Sequence, residues 1–482
     1  MPSHWVGQSA AVTSGQTFAG RRLLPAGART GVASWSLKGQ PWPRYFGPAL
    51  ALYIAIALSR LNEIVPHLDR LYPGKVAAIL VIGAAMVDMR SLDVSRAFQS
   101  TLAKCIGVIT ILAVLSVPGS AWPRQSVTFF QNQWPQTLLM FFGILIGFSN
   151  RRTAYVAIVA ATVTAALGAL ELVAGAGLSN QGRAYIGGGG SSTYDPNASA
   201  ALFVMLVPYA VFLATRRGKL RVPAMIMIPI FIAAMVKTAS RGGVVALGAL
   251  GVALIVFAPK PRRLTYASLF FAMLMTLYFV PHSGLAERLS ELSGSQDYNF
   301  TSRDGRLEIW KRGIGMMLSH PAFGVGVRAY EVANGNLAHS WMNAHNAIVQ
   351  IGAELGIGGL AAFVVAVVVA FQAALGLVRR TRGVPQAARD AMSDFDRGMA
   401  TAAMCSLVAE LCAAMFLSMA YDNMTLFALA VPTSLALATS PRTALAGNAV
   451  RGGPSTQPLQ PGWRSARRVP SRLPPVTPKP QM

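Results

Sequence analysis

The sequence predicts an all-α polytopic membrane protein with about twelve transmembrane helices and a large outward loop between the ninth and tenth. Three observations carry this. Hydrophobic residues make up 53% of the 482 and charged residues only 12%, with a mean hydropathy of +0.46, whereas a soluble domain carries about a quarter charged residues. The apolar residues are gathered into runs near membrane-crossing length, several of them shorter than the ~20 residues a straight crossing needs, which leaves a re-entrant pair as an alternative. The basic residues fall mostly in short clusters between those runs, as they do where Lys and Arg fix the orientation of spans.

That placement also decides what the charge means. A formal charge of +24, from 42 Lys and Arg against 18 Asp and Glu, suits either nucleic acid or a membrane surface. Clusters at the ends of apolar runs point to membrane lipids and argue against nucleic acid. Cys105, Cys405 and Cys412 all lie in apolar segments without CxxC or Cys/His spacing, so neither a disulfide framework nor a zinc site is expected. The first 44 residues hold no apolar core of a cleavable signal peptide, which leaves targeting to the first span.

Taken in order, the spans are expected at about Phe46–Leu61, Lys75–Met89, Thr101–Val117, Pro135–Ser149, Thr153–Ala174, Pro196–Thr215 and Val222–Val236. Five more are expected at about Gly242–Ala258, Leu264–Pro281, Ala347–Val378, Met399–Ala420 and Met424–Leu437. With the N-terminus inside, Arg151-Arg152, the Arg216–Arg221 cluster, Lys260–Arg263 and Arg379–Arg382 all fall on the cytoplasmic side. Three parts result: a disordered cytoplasmic segment 1–44, a transmembrane domain 45–440 that includes a long loop 282–344, and a cytoplasmic tail 441–482. The composition of that tail, rich in Pro, Arg and Ser, argues for disorder. A second outward segment runs from Gly177 to Asp195, and there is no fixed-period repeat.

Three inward-running helices are expected to start at the outer face, at Asp195-Pro196-Asn197, Ser240-Arg241-Gly242-Gly243 and His345-Asn346. Free N–H groups and the positive end of the macrodipole at each start favour an anion between them. Arg241 adds a charge that grips phosphate oxygens in pairs; the alternative is an interface arginine that snorkels from a helix end. In the long loop, which also carries Arg288, residues 306–318 form an amphipathic helix with Leu307, Trp310, Ile314 and Met317 on one face, fit to lie along the membrane surface. Arg303 and Arg306 stand at its start, either as phosphate ligands at headgroup depth or as solvated charges. His345 titrates near neutrality and suits removal of a proton from a hydroxyl; a helix cap or a partner to a carboxylate is the plainer role, and His339 is a weaker candidate.

Glu171, Glu354 and Glu410 lie inside spans, where an ionised carboxylate is costly. They suit proton relay in a transporter, or neutral or paired groups within the bundle. No paired carboxylates or Asp-rich motif stand on the outer face, so a mechanism without metal or other cofactor is expected.

Together these motifs resemble the O-antigen ligase and polysaccharide polymerase family of bacterial membrane glycosyltransferases. The pieces that match are Asp195-Pro196-Asn197 before an apolar span, Ser240-Arg241-Gly242-Gly243 and Gly305-Arg306-Leu307-Glu308-Ile309-Trp310. His320-Pro321-Ala322-Phe323-Gly324-Val325-Gly326 follows, then Ala344-His345-Asn346 leading to Glu354-Leu355-Gly356-Ile357-Gly358-Gly359-Leu360. Each is weak singly; the ordered set, over about 195–375, is fairly specific.

The resemblance implies an inner-membrane enzyme with a periplasmic loop that transfers a saccharide from undecaprenyl diphosphate to a saccharide or lipid acceptor, in surface or exopolysaccharide synthesis. Carried over by position, Arg241 and Arg306 bind the diphosphate, and His345 assists the acceptor hydroxyl or contacts the leaving group. Arg303, Asn346, Asn197, Trp310 and Arg288 are the expected substrate-binding set, with Arg306 preferred over Arg303 for its Gly-Arg-Leu-x-x-Trp context. The competing readings are a polysaccharide or lipid transporter that uses the intramembrane carboxylates, and a non-catalytic scaffold. Polymerase and ligase are not distinguished.

Overall fold

In a computed structural model of the chain, the residues described are 42–59, 68–175, 184, 186, 195–258, 262–268, 270–271, 302, 304–382 and 394–439. The expectations for the termini, for most of the ninth span and for Arg288 and Arg303 lie outside these residues.

Regular structure among the described residues is helical. The chain opens with α1 (Phe46–Ser59), α2 (Pro73–Val87), α3 (Val94–Gln99), α4 (Thr101–Ser116), α5 (Pro123–Asn132), α6 (Trp134–Gly147) and α7 (Arg151–Val173). It continues with α8 (Pro196–Ala214), α9 (Arg221–Lys237), α10 (Arg241–Phe257), α11 (Arg306–Ser319), α12 (Tyr330–Ala338), α13 (Ala347–Arg382), α14 (Asp394–Ala414) and α15 (Asn423–Thr439). Every expected span within the described residues coincides at least in part with a helix, and the described start of the ninth, residues 264–268, is helical as well. By length and composition, Arg151–Val173, Pro196–Ala214 and Ala347–Arg380 are long and apolar enough to cross a membrane, and α1, α2, α4, α6, α10 and α15 are shorter apolar helices.

Packing divides the helices into interior and peripheral ones. Nearly all of α8 is buried, from Ala198 to Leu213, because α9, α10, α14 and α7 pack around it. Along α7, buried Ala154, Ala157, Ala161, Ala165 and Ala169 form a row of small side chains. Such rows let helix backbones approach closely where lipid competes equally for apolar surface, and α7 makes its main contact with α1. The opposite case is α2, which buries only Ala77 and Val81 and leaves Ile79, Met86 and Val87 about two-thirds exposed.

Two expected spans change shape. Helix α13 is broken at Gly356, whose φ of 71° and ψ of −165° lie far from helical values. The 26 residues beyond it reach about 39 Å as a helix, enough to cross a bilayer core of ~30 Å without the first piece. The eleventh span, expected to run to Ala420, ends at Ala414, and residues 415–422 form turns before α15. Hydropathy does not separate these cases, because Met415, Phe416 and Leu417 are as apolar as the helix they follow.

Candidate functional site: helix starts around a cationic pocket

Each of the helix starts expected to matter is fixed by a local cap. Asp195 is the N-cap of α8, its Oδ1 accepting from Ala198 N at 2.8 Å. Ser240 caps α10 by accepting from Gly243 N at 3.1 Å. Its hydroxyl also donates to Asn197 Oδ1 at 2.9 Å, which couples the starts of α8 and α10. Asn346 caps α13, its Oδ1 accepting from Ile348 N at 2.9 Å and Val349 N at 3.1 Å. The carbonyl oxygens of Asn197 and Asn346, expected on substrate, are engaged in holding these ends.

A small pocket lies at the starts of α8 and α10, lined by Asn197, Ser240, Gly242, Gly243, Arg306, Ala413, Phe416 and Leu417. Three of the sequence motifs meet here although they are far apart in the chain. Arg241 stands between two lining residues, as the first residue of α10. Arg306 begins α11 and holds its guanidinium 5.9 Å from the centre of the Phe416 ring, a cation placed against an aromatic face.

His345 adopts a left-handed backbone conformation, φ 46°, and its N–H donates to Ser418 Oγ at 2.9 Å, next to pocket residue Leu417. Burial, and then the neighbouring Arg306, hold its imidazole below the usual histidine range; Asp195 opposes this in part. Both causes disfavour the added charge of an imidazolium, so the neutral ring, able to accept a proton, prevails at neutral pH.

The loop helix α11 turns differently from the single stripe expected. Ile309, Gly313 and Met316 are buried, and Ile309 and Met316 form a small core with Val325, Tyr330, Ala333, Ala344 and Ala353 against which Trp310 packs. Leu307, Ile314 and Leu318 stay exposed, so the outward apolar stripe is shifted around the helix. Trp310 Nε1 donates to Ala344 O at 2.9 Å, and thereby anchors the backbone just before His345.

The next two motifs explain each other. At the α13 break, the Ala353 and Glu354 carbonyls accept from Val325 N at 2.8 Å and Gly326 N at 3.1 Å, while Ile357 N donates to Pro321 O at 2.9 Å. The His320–Gly326 segment thus satisfies the backbone groups that the break releases. Glu354, fully buried, accepts from Arg328 N at 3.0 Å and Tyr330 N at 3.4 Å. Glu410 is also enclosed, with Oε1 accepting from Thr425 Oγ1 at 2.9 Å.

The 415–422 turn, hidden in the apolar run of the expected eleventh span, supplies Phe416 and Leu417 to the pocket and Ser418 to His345. Ala420 N also donates to Gln350 Oε1 at 3.2 Å, which ties the turn to α13. The polar interruption Asp422-Asn423 between apolar runs was the available signal.

A bundle of apolar helices, with the capped starts of α8 and α10 and Arg306 meeting at one pocket, defines a helical membrane protein. Residues 226–364 match the family model described as O-Antigen ligase, so that stretch is similar to the O-antigen ligase domain family. The match takes in the motifs from Ser240 to Leu360, while Asp195-Pro196-Asn197 precedes it. No curated protein matches the chain.

Proposed function

We propose that this chain is a glycosyltransferase of the ligase or polymerase kind, working at the periplasmic face of the bacterial inner membrane on undecaprenyl-diphosphate-linked saccharides. Both termini are cytoplasmic in this reading, about twelve helices cross the bilayer, and loop 282–344 is periplasmic. The observation that carries it is the meeting of Arg306 with the capped starts of α8 and α10 in one pocket, beside a histidine whose charged form is disfavoured.

The acceptor hydroxyl oxygen attacks the anomeric carbon of the donor sugar. The bond from that carbon to the diphosphate oxygen breaks, its electron pair leaves with the diphosphate, and the hydroxyl proton passes to neutral His345. Negative charge grows on the leaving diphosphate as the bond breaks, so Arg241, Arg306 and the helix N-termini stabilise the transition state more than the bound donor. Burial of the site raises the strength of each of these interactions. The α13 segment before Gly356, held by Trp310, Ser418 and Glu354, fixes His345 relative to Arg306.

Purified protein in proteoliposomes, given the lipid-linked donor and an acceptor, tests this. Arg241→Ala, Arg306→Ala and His345→Ala each reduce transfer by roughly a hundredfold or more, with the protein still folded. Normal turnover in all three variants refutes the reading. Products after deletion of the protein then separate the two reaction types: lost long chains indicate polymerisation, and intact lipid-linked chains that are never attached indicate ligation.

A further inference from the structure

Between α12 and His345 the chain runs through Ser340-Trp341-Met342-Asn343-Ala344, bounded by left-handed residues His339 (φ 53°) and His345 (φ 46°). The segment is tightly held. Asn334, buried in α12, donates through Nδ2 to Met342 O at 3.1 Å, and Trp310 holds Ala344 O.

Held this way, Trp341 presents a flat ring. One face lies directly over Gly335 of α12, where an added Cβ would come within 2.5 Å of Cε3 and 2.6 Å of Cδ2. Only a glycine lets the ring lie so close. The residue remains 58% exposed, so its other face is open. Glu331, one helical turn before Gly335, lies on the same side of α12, and its Oε2 accepts from Asn343 Nδ2 at 3.2 Å.

An open aromatic face beside a carboxylate and an amide is complementary to a sugar ring, whose C–H face is apolar and whose edge carries hydroxyls. A membrane anchor is the rival use of an exposed tryptophan, and Leu337 and Met342 are exposed nearby. Two features favour the sugar. Leu337 is two residues past Gly335 and so on the far side of α12, and a carboxylate at the ring's edge resists transfer into hydrocarbon. Trp341 stands four positions before His345, so their Cα atoms are at most about 14 Å apart.

We propose that Trp341, with Glu331 and Asn343, is a saccharide platform that binds a sugar ring of the chain whose end reacts at His345. This rests on the glycosyl-transfer reading and adds a subsite to it. The donor and acceptor saccharides share the chemistry, and kinetics assign the platform to one of them.

The test uses the full chain in proteoliposomes with lipid-linked oligosaccharide from the native membranes, and the free repeat oligosaccharide as acceptor and binding probe. W341A raises the KM for one substrate roughly three- to tenfold with kcat within twofold of wild type, while W341F, which keeps a ring, stays near wild type. The KM that moves identifies the substrate held. Unchanged KM values in an active W341A protein overturn the proposal. So does strong quenching by brominated lipids that W341F removes, which assigns the ring to the membrane. If even the wild type shows no turnover, the glycosyl-transfer reading fails by itself. Binding of the free oligosaccharide, lost in W341A, then still supports the platform, and equal binding by both proteins overturns it.

Discussion

Gly356→Ala is the substitution whose effect the structure sizes most directly. At φ 71° and ψ −165°, Gly356 occupies a region open essentially to glycine alone, and a side chain held there costs about 1–3 kcal/mol. The new Cβ would also come within 2.3 Å of Pro321 O and 2.8 Å of Pro321 C. Both are backbone atoms that cannot rotate aside, and relief by a backbone shift adds about 1–3 kcal/mol. The shift would pull apart the bond from Ile357 N to Pro321 O. The lower sum, about 2 kcal/mol, already makes the undocked state of residues 320–327 roughly thirtyfold more populated. Hydrogen–deuterium exchange at the amides of Val325, Gly326 and Ile357 reads this directly, and transfer activity should fall because the first piece of α13 carries His345. Gly376→Ala is the control on the same helix: nothing lies within 4 Å of its Cβ position, and alanine favours a helix interior over glycine. Wild-type exchange and wild-type transfer in Gly356→Ala would show that the break and its docked loop do not position the site.

Two further outcomes follow from the groups around His345. The acid limb of kcat/KM should have its midpoint below the usual histidine value near 6.5, since burial and Arg306 disfavour the imidazolium and activity needs the neutral ring. Arg306→Gln removes a repelling charge and should move the limb of its residual activity to higher pH, while Asp195→Asn removes a favourable charge and should move it lower; shifts in the same direction in a pH-rate series would discard His345 as the base. Trp310→Phe deletes the donor to Ala344 O and leaves that carbonyl short of a partner, at a cost of about 1–3 kcal/mol. A positioning indole predicts a several-fold lower kcat at unchanged KM, and a raised KM at unchanged kcat would instead place the indole on substrate, as the motif alone suggested.

The helices were legible in the sequence because lipid leaves a long apolar run few alternatives: every backbone N–H and C=O must be satisfied within the segment. Helix starts were legible for a related reason, though not which residue caps each. Asp195, Ser240 and Asn346 act on amides two or three residues ahead, so the signal and its effect lie in the same short stretch. What the sequence concealed are partners set by distance through the fold. Glu354 read as a carboxylate stranded in a span, yet its hydrogen bonds come from Arg328 N and Tyr330 N, more than twenty residues earlier. They exist only because Gly356 breaks the helix and opens its end to the loop. Phe416 and Leu417 carry no chemical signature and were absorbed into the eleventh span, although they wall the pocket. Their apolar character is itself part of the site. Arg306 beside Phe416 and the half-buried His345 sit where water is displaced, and a fixed cation acts on a developing negative charge more strongly there than at an open surface. A motif search recovers the charged groups of such a site, but the strength of those groups depends on apolar walls that only folding brings to them.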